Sequence, residues 1–498
     1  MLILIVFGVF HGSVTFVNHA QFRTHAYDLG YYTHAVNAFG HFRFSDAVID
    51  NATYWHPWGD HFEPILALIG PLVHVFGSYT LLVVQWMAVL IGAFGVFRYF
   101  ELRSDDEWLP SIAMAQFLSI WGINSALSYD FHASVLGAMV VPWIFVFFYK
   151  GSHWKLVVAV VLMLACGEKL AFWGIFIFLG LALLHWRDRR NRMVGLVGTA
   201  VCMVGTYVSM RLIMPLFLKP GQTYSHFTFT IWGETFPEVV GNILTHPGKA
   251  IRLLFESHTP DLGYSLPLKR ELWKMIFLSG GVALMRRPQY LLMLLPVLLT
   301  KLYNDRMARW GINLQYSIEF VPILCIALYE WVARIPRVVW RRSIAGLAMA
   351  LTLVATVVSL YTRYSVDYNP VRANPFLAAH WQESDFDTEQ LKHAICLVPP
   401  EAGVAASDLL LPRLALHRRA YLFPTVLDAD YAVVQLRFGT YPLSPERTAE
   451  LCNEMVASQQ WEEVWRASEV VVLRRIAASN SATSMRETTL PPTHHNQY

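Results

Sequence analysis

The sequence predicts an all-α polytopic membrane protein that carries a small soluble α/β domain near its C-terminus. Hydrophobic residues make up 55% of the 498 residues and charged residues only 15%, whereas an average soluble protein is roughly 25% charged. A mean hydropathy of +0.38 is typical of a chain that presents much of its surface to lipid. The low charge content excludes disorder and nucleic-acid binding as the main role, so no nucleic-acid partner is expected.

Apolar segments of membrane-spanning length recur through residues 1–361, which are predicted to form the transmembrane domain. A hydrocarbon core about 30 Å thick needs roughly 20 apolar residues per helix, and somewhat fewer where helix ends snorkel. Gly77 interrupts the apolar run that begins at residue 64, and residues 64–76 are predicted to form an interfacial or re-entrant helix. On this criterion there are about eleven spans, at residues 1–18, 78–97, 108–127, 134–149, 156–166, 170–186, 193–218, 272–285, 289–303, 317–333 and 343–361.

The basic residues predict a cytoplasmic N-terminus. In that frame, alternate connections hold the clusters of Lys and Arg, at residues 98–103, 150–155, 187–192, 286–287 and 334–342. The short connections on the other side hold only Lys169, Arg306 and Arg309, which satisfies the positive-inside rule. The frame also requires two short helices that meet at Glu168, because one fused helix would place residues 187–192 outside. It predicts a multi-pass protein of the cell's inner (plasma) membrane.

Three larger pieces then lie on the outer face: a first loop at 19–63, a loop at 219–271 and a C-terminal domain at 362–475. This last piece is far more polar and alternates helical runs with β-type runs at 402–406, 431–435 and 470–473. Ser444, followed by a proline and an acid, is typical of a helix start. We therefore expect an extracytoplasmic α/β domain, followed by a disordered tail at 476–498 that is rich in Ser, Thr and Pro.

Acids and imidazoles gather in the outer loops of this frame. Asp28 follows the first span, where burial and neighbours can tune the pKa of a carboxylate. Asp130 and His132 are separated by one residue, so both side chains can point to the same side of an extended segment, as a metal site or a shared proton requires. Each also fits a structural role, Asp28 as a helix cap and the pair as part of a solvated turn.

Further polar residues lie at helix ends. Glu168 occupies an apolar helix junction, where an acid is costly and usually faces a cavity, although Lys169 offers it a local ion pair. Arg211 lies about two turns from the outer end of its span and could neutralise a phosphate or snorkel to the headgroups. The orientation rests on Lys and Arg alone, yet it places five acids and imidazoles on one side: Asp28, His61, Asp130, His132 and Glu168.

Short motifs in this order resemble a known family. They are Tyr27-Asp28-Leu29-Gly30, His61-Phe62-Glu63-Pro64, Asp130-Phe131-His132, Cys166-Gly167-Glu168 and Gln315-Tyr316, followed by residues 404–407, 414–418, 421–424 and 428–431. The chain resembles the predicted bacterial and archaeal membrane proteins called domain of unknown function two-zero-seven-nine, which are similar to GT-C membrane glycosyltransferases. It departs from the usual pattern at Gly167-Glu168-Lys169, where the family has Lys-Glu-Asp, and at Gln315, where the family has His.

The resemblance implies a GT-C-like bundle and a set of functional residues. In GT-C enzymes an acid of the first outer loop is catalytic, and Asp28 takes that place here. The departing phosphate needs a cation, which is either Arg211 or a divalent metal ion held by Asp28, Asp130 and His132. The residues expected to bind substrate are His61, Glu63, Glu168, Arg211, Gln315 and Tyr316.

The resemblance therefore implies an inverting glycosyltransferase, which moves a sugar from a polyprenyl-phosphate-linked donor in the membrane lipid to an acceptor outside the cytoplasm. The sequence does not define that acceptor. The alternative is a transporter or flippase of lipid-linked saccharides, in which the outer carboxylates gate or recognise headgroups. A third hypothesis is a scaffold of a cell-envelope assembly with a decayed active site.

Overall fold

The computed structural model describes residues 1–44, 56–222, 224, 226–259, 265–364, 368–382, 384 and 386–476. The described part is mostly helical, and its strands lie between residues 404 and 475. The predicted disordered tail falls almost entirely outside the described residues, which end at Ile476. The longer helices are Leu2–Ala20, Tyr31–Gly40, Thr80–Arg103, Leu109–Ser119, Ala133–Lys150, His153–Leu164, Glu168–Leu184, Arg189–Tyr207, Phe236–Thr245, Ser265–Ile276, Pro288–Leu302, Phe320–Val332, Val338–Thr362, Thr388–Cys396 and Pro445–Ala457.

Five helical stretches of the described chain are long and apolar enough to cross a membrane: Leu2–Ala20, Ile65–Arg103, Ala133–Lys150, Arg189–Phe217 and Val338–Thr362. Three shorter apolar helices accompany them, Leu109–Ser119, His153–Leu164 and Pro288–Leu302. These helices agree with a multi-pass membrane protein, while the total of about eleven spans stays a prediction.

The structure interrupts one predicted span and confirms the break in another. The span predicted at 108–127 consists of Leu109–Ser119 and Trp121–Leu127, because the backbone at Ile120 is extended, with φ and ψ of −68° and 131°. Between 156 and 186 there are two helices, as the charge frame requires, and Gly167 separates them with a φ of +124°. That φ favours glycine, since a Cβ would clash with the backbone there. Gly167 thus sets the direction in which Glu168 starts the second helix.

The segment predicted as an interfacial or re-entrant helix is a series of short helical segments rather than one continuous α-helix. It comprises Ile65–Ile69, the 3-10 turn Gly70–Leu72 and Val73–Phe76. Gly70 packs against the end of the helix Tyr31–Gly40, and a Cβ added to Gly70 would lie 2.7 Å from the backbone nitrogen of Gly40. This close approach ties the first loop to the membrane helices.

The C-terminal part, residues 386–476, is called the sheet domain here. Its strands are β1 Val404–Ala406, β2 Ala420–Leu422, β3 Tyr431–Gln435, β4 Trp461–Arg466 and β5 Val470–Arg475, in the spatial order β2-β1-β3-β5-β4. β1 is parallel to β2 and β3, whereas β5 is antiparallel to β3 and β4. The β-type runs predicted around β1, β3 and β5 are strands, and Ser444 caps the helix Pro445–Ala457 by accepting a hydrogen bond from the backbone N–H of Arg447 at 3.2 Å.

The sheet domain packs directly on the first loop. Phe22 and Ala26 of that loop belong to the same buried apolar cluster as residues of β1, β2 and β5. The guanidinium of Arg413 lies 4.0 Å from the ring centroid of Phe22, and the amide of Asn37 donates to the backbone oxygen of Leu416 at 2.7 Å. The two parts of the chain therefore meet at the segment that carries Asp28.

Candidate functional site

One cavity of about 340 Å³ lies where the first loop meets His132, the junction at Glu168, His226 and residues 306–319. Its surface combines carboxylates, imidazoles, cations and several tyrosine rings. The lining residues are Tyr27, Asp28, Tyr31, Tyr32, Asp60, His61, Glu63, His132, Ser134, Cys166, Gly167, Glu168, Lys169, Leu170, His226, Arg306, Arg309, Gln315, Tyr316 and Glu319.

Asp28 lies in a π-helical turn, Ala26–Gly30, directly before the helix Tyr31–Gly40. Its Oδ1 is 3.3 Å from Nε2 of His132. Burial raises the pKa of Asp28, but His132, Tyr129 and His25 outweigh burial and bring the pKa below its usual value. Asp28 is therefore ionised at neutral pH, with 26% of its side chain exposed.

The buried amide of Gln85 positions His132. It donates to the backbone oxygen of Asp130 at 3.2 Å and accepts a hydrogen bond from the backbone N–H of His132 at 2.8 Å. The carboxylate of Asp130 is itself fully buried and does not line the cavity. Its Oδ2 accepts from the backbone N–H of His25 at 2.8 Å, and its Oδ1 is 3.1 Å from the guanidinium of Arg372. Asp130 thus holds the backbone just before Asp28 and lies outside the cavity.

Glu168 holds the ring of His61. Its Oε1 is 2.9 Å from Nδ1 of His61 and accepts a hydrogen bond from the hydroxyl of Tyr224 at 3.0 Å. Its Oε2 accepts from the backbone N–H of Phe62 at 3.2 Å. The other ring nitrogen of His61, Nε2, lies 3.4 Å from the ammonium group of Lys169. Glu168 therefore fixes the orientation of His61 and has both oxygens occupied.

Asp60, His61 and His226 form a compact group of potential metal ligands. One ligand atom from each lies within 4.8 Å of the other two, the one such trio of His, Cys, Asp or Glu in the described part of the chain. Oδ1 of Asp60 contacts Nε2 of His226, whose ring stacks on that of His61 at a centroid distance of 4.5 Å. Burial, aided by His61, lowers the pKa of His226 to about 4, so the imidazole is neutral and able to bind a metal at neutral pH.

Three cationic side chains line the same cavity: Lys169, Arg306 and Arg309. None of the three forms a salt bridge to a carboxylate of the described residues, in contrast to Arg103 and Arg372. The guanidinium of Arg309 lies 5.0 Å from the ring centroid of Tyr316, and its buried Nε has no hydrogen-bond partner among those residues. Cations that line a concave surface and make no salt bridge are available to an anionic ligand.

Glu63 is a buried acid of the cavity, with 6% of its surface exposed. Its Oε2 has no hydrogen-bond partner within the described segments. Burial, reinforced by Glu168 and Asp60, outweighs the effect of His61 and raises the pKa of Glu63 to about 8. Its carboxyl group is therefore protonated at neutral pH and can donate a hydrogen bond, unlike that of Asp28.

Seven of the nine residues singled out from the sequence line this cavity: Asp28, His61, Glu63, His132, Glu168, Gln315 and Tyr316. Asp130 lies behind it. Arg211 is exposed in the π-helical turn Val208–Ile213 and does not line it. The structure therefore brings Asp28 and His132 together but does not add Asp130 to them as a third ligand in the cavity.

The sequence reasoning did not select Asp60, His226, Lys169, Arg306 or Arg309 as site residues. Lys169, Arg306 and Arg309 could have been selected from the sequence, because they are basic residues on the side that the positive-inside rule leaves poor in Lys and Arg. No local pattern in the sequence identifies His226 as a site residue, because its partner Asp60 lies 166 residues earlier in the chain.

Comparisons with known proteins give a shared fold and a family. A search of curated protein sequences found no match. The chain is similar to the crystal structure of ArnT from Cupriavidus metallidurans bound to undecaprenyl phosphate, with a TM-score of 0.51 and 13% identity, over 95% of this chain and 98% of that one. For the same protein in the apo state the TM-score is 0.45 and the identity 14%, over 90% and 93% of the two chains.

The first of these similarities shows the fold alone, and it agrees with the GT-C-like bundle that the sequence resemblance implies. The family model described as predicted membrane protein, DUF2079, matches residues 18–466. The chain therefore belongs to this family of membrane proteins.

Proposed function

We propose that the protein is an inverting membrane glycosyltransferase, which transfers a sugar from a polyprenyl-phosphate-linked donor to an acceptor hydroxyl outside the cytoplasm. One observation carries the proposal. The ionised carboxylate of Asp28 shares a cavity with three cations, Lys169, Arg306 and Arg309, that make no salt bridge within the described residues. Sugar transfer from a phosphate-linked donor needs both a group that takes up the acceptor's proton and a surface that binds phosphate.

In this proposal Asp28 accepts the proton of the acceptor hydroxyl, whose oxygen attacks the anomeric carbon of the donor sugar. The bond from that carbon to the acceptor oxygen forms as the bond to the phosphate oxygen breaks, so the configuration inverts. Polyprenyl phosphate leaves with the bonding electrons, and Lys169 and the two arginines neutralise its charge. His132, 3.3 Å from Asp28, keeps the carboxylate oriented toward the acceptor.

A lipid-linked donor fits a cavity built at the ends of apolar helices. Its polyprenyl chain needs the bilayer, while its sugar and phosphate need a polar surface. The solved ArnT structure that shares this fold is bound to undecaprenyl phosphate, which supports a carrier of the same chemical class here. The outer-facing orientation of the cavity rests on the distribution of Lys and Arg.

A divalent metal ion is part of the proposal as an additional cation. Asp60, His61 and His226 are the residues that would hold it. The carboxylate of Glu168 contacts Nδ1 of His61, as carboxylates often do on the ring nitrogen of a histidine whose other nitrogen binds a metal. Two imidazoles and a carboxylate suit Zn²⁺ and related first-row ions. Such an ion would supply positive charge for the donor phosphate.

The test is transfer of labelled sugar from a polyprenyl phosphate carrier by the purified protein in lipid nanodiscs. We expect Asp28→Asn to lower kcat by about 10²–10⁴-fold, with the protein level and thermal midpoint unchanged. Asp105→Asn is the matched control, because Asp105 is exposed and paired with Arg341 away from the cavity. If chelator leaves the wild-type rate unchanged, the metal has no part in the reaction.

The same purified protein, reconstituted into sealed lipid vesicles, addresses the alternative functions. Movement of the labelled lipid across the bilayer without any sugar transfer would contradict the transferase and support a transporter or flippase. Full activity of Asp28→Asn would contradict any role of this carboxylate. A wild-type protein that neither transfers sugar nor moves the lipid would favour the scaffold.

A further inference from the structure

The turn that carries Asp28 is held at its start by two carboxylates from other parts of the chain. His25 precedes the turn in an extended conformation, with φ and ψ of −115° and 157°. The first N–H groups of a helical segment have no acceptor within it and must find one elsewhere. The backbone N–H of His25 donates to Oδ2 of Asp130, and that of Ala26 donates to Oδ1 of Asp408, each at 2.8 Å.

Asp408 makes a second contact with the same segment. Its Oδ2 is 2.7 Å from Nδ1 of His25, so both of its oxygens are engaged with adjacent residues just before Asp28. Asp408 is buried, with 6% of its surface exposed, and it follows β1 in the sheet domain. A residue 382 positions further along the chain than Ala26 thus caps the turn of the proposed catalytic acid.

Nearby contacts make this attachment rigid. A Cβ added to Gly30, at the end of the turn, would lie 3.5 Å from the backbone nitrogen of Pro412, so the short helix Leu411–Leu414 packs against the turn. The guanidinium of Arg413 donates to the backbone oxygens of His19 and Ala20. The sheet domain therefore contacts the chain before and after Asp28.

We propose that Asp408 is a positioning residue for Asp28 and that the sheet domain is in this sense part of the active site. The inference rests on the proposed function, since it assigns Asp408 to the same reaction. Asp408 touches no substrate. It fixes the backbone of residues 25–30, and a displacement of about 1 Å in a reacting group can cost on the order of 10²-fold in rate.

A matched control separates positioning from mere stability of the sheet domain. Asp430 has the same kind of double contact, accepting from the backbone N–H of Gly403 at 2.7 Å and from the guanidinium of Arg419 at 2.6 Å. Both of its partners lie within the sheet domain. Asp430→Ala should therefore weaken that domain without releasing the turn of Asp28.

The experiment uses the full-length protein in nanodiscs, with Asp408→Ala, Asp408→Asn and Asp430→Ala. Hydrogen exchange by mass spectrometry reports on the peptide covering residues 24–31, and transfer kinetics report kcat and KM for the donor. For Asp408→Ala we expect faster exchange in that peptide and a fall in kcat of at least about tenfold, with KM within about twofold. The fall in kcat should be smaller for Asp408→Asn, because its amide oxygen can still accept a hydrogen bond from the backbone N–H of Ala26.

Two results would overturn the inference: wild-type exchange at residues 24–31 in Asp408→Ala, or an equal loss of kcat in Asp430→Ala. The exchange measurement needs no substrate. If the wild-type protein transfers no sugar, the proposed function fails, and exchange still decides whether Asp408 holds the turn.

Discussion

Lys169, Arg306 and Arg309 are the basic residues of the short connections that are predicted to lie outside, and all three line the cavity. Lys169 and Arg306 are exposed and Arg309 is half-buried, so all three are accessible to a ligand in the cavity. Among the described residues these three have no carboxylate partner, although several acids line the same surface. At the scale of single residues, the cavity therefore holds positive charge that a phosphate can use.

We predict that Lys169→Gln and Arg309→Gln each raise KM for the donor about tenfold, with a smaller effect on kcat. A hydrogen bond to a charged group contributes about 1.5–3 kcal/mol, and about 1.4 kcal/mol is a factor of ten. Steady-state transfer kinetics measure the change. Arg211→Gln is the control, since Arg211 is a cation outside the cavity. An equal rise of KM in Arg211→Gln would mean that the effect is a general loss of surface charge.

Glu63 gives a prediction about pH. Its pKa is raised from 4.5 in the unfolded chain to about 8 in the folded protein, so folding favours the protonated form. Stability is therefore greatest below pH 4.5 as far as this group is concerned, and it falls by about 1.4 kcal/mol per pH unit as the pH rises toward 8. Glu63→Gln keeps the neutral shape and removes this dependence.

The thermal midpoint of Glu63→Gln, relative to wild type, should accordingly increase between pH 5.5 and pH 8.5. Scanning fluorimetry of the solubilised protein measures both midpoints under the same conditions. Parallel curves for the two proteins across this range would show that Glu63 has an ordinary pKa.

At the scale of elements, the site depends on close packing between a short helix and a turn. Gly122, in the helix Trp121–Leu127, faces the 3-10 turn Gln315–Ser317. A Cβ there would lie 2.5 Å from the backbone oxygen of Ser317, closer than van der Waals contact allows. The turn carries Gln315 and Tyr316 into the cavity, so the glycine sets the position of two lining residues.

We predict that Gly122→Ala costs about 1–3 kcal/mol of stability and raises KM for the donor, because the turn must shift. Gly346→Ala is the matched control: it lies within the helix Val338–Thr362, and a Cβ there meets nothing within 4 Å. That change should stabilise by roughly 0.5–1 kcal/mol. Thermal unfolding and transfer kinetics test the pair, and equal behaviour of the two variants would contradict the packing argument.

The strands of the sheet differ in how well the local sequence pattern predicts them. β3 and β5 are apolar runs inside the sheet, and the sequence predicts them. β4, with the sequence Trp-Glu-Glu-Val-Trp-Arg, is an edge strand with one side exposed, and edge strands tolerate charge. Half of its residues are charged and it contains no continuous apolar run, so its pairing with β5 is what identifies it as a strand.

At the scale of the whole molecule, the orientation in the membrane is a prediction that the sheet domain can test. Cys396 is the exposed free cysteine of the described chain, and the other four are buried. We expect a membrane-impermeant maleimide to label Cys396 in intact spheroplasts, because the sheet domain is predicted to lie outside the cytoplasm. Cys396→Ser gives the background, and labelling that requires permeabilised membranes would place the domain inside.

The sequence by itself determined the membrane character of the chain, the break at Gly167, the helix start at Ser444 and the short list of acids and imidazoles around Asp28. Hydropathy, clusters of basic residues and helix caps depend on residues that are close in the sequence, so they can be predicted from the sequence alone. Only the tertiary structure decided that Asp130 pairs with Arg372, 242 residues away, that His226 reaches Asp60 and that Asp408 holds the turn of Asp28. Those partners lie on separate elements, and the packing of helices against the sheet domain, which no spacing in the sequence records, brings them together.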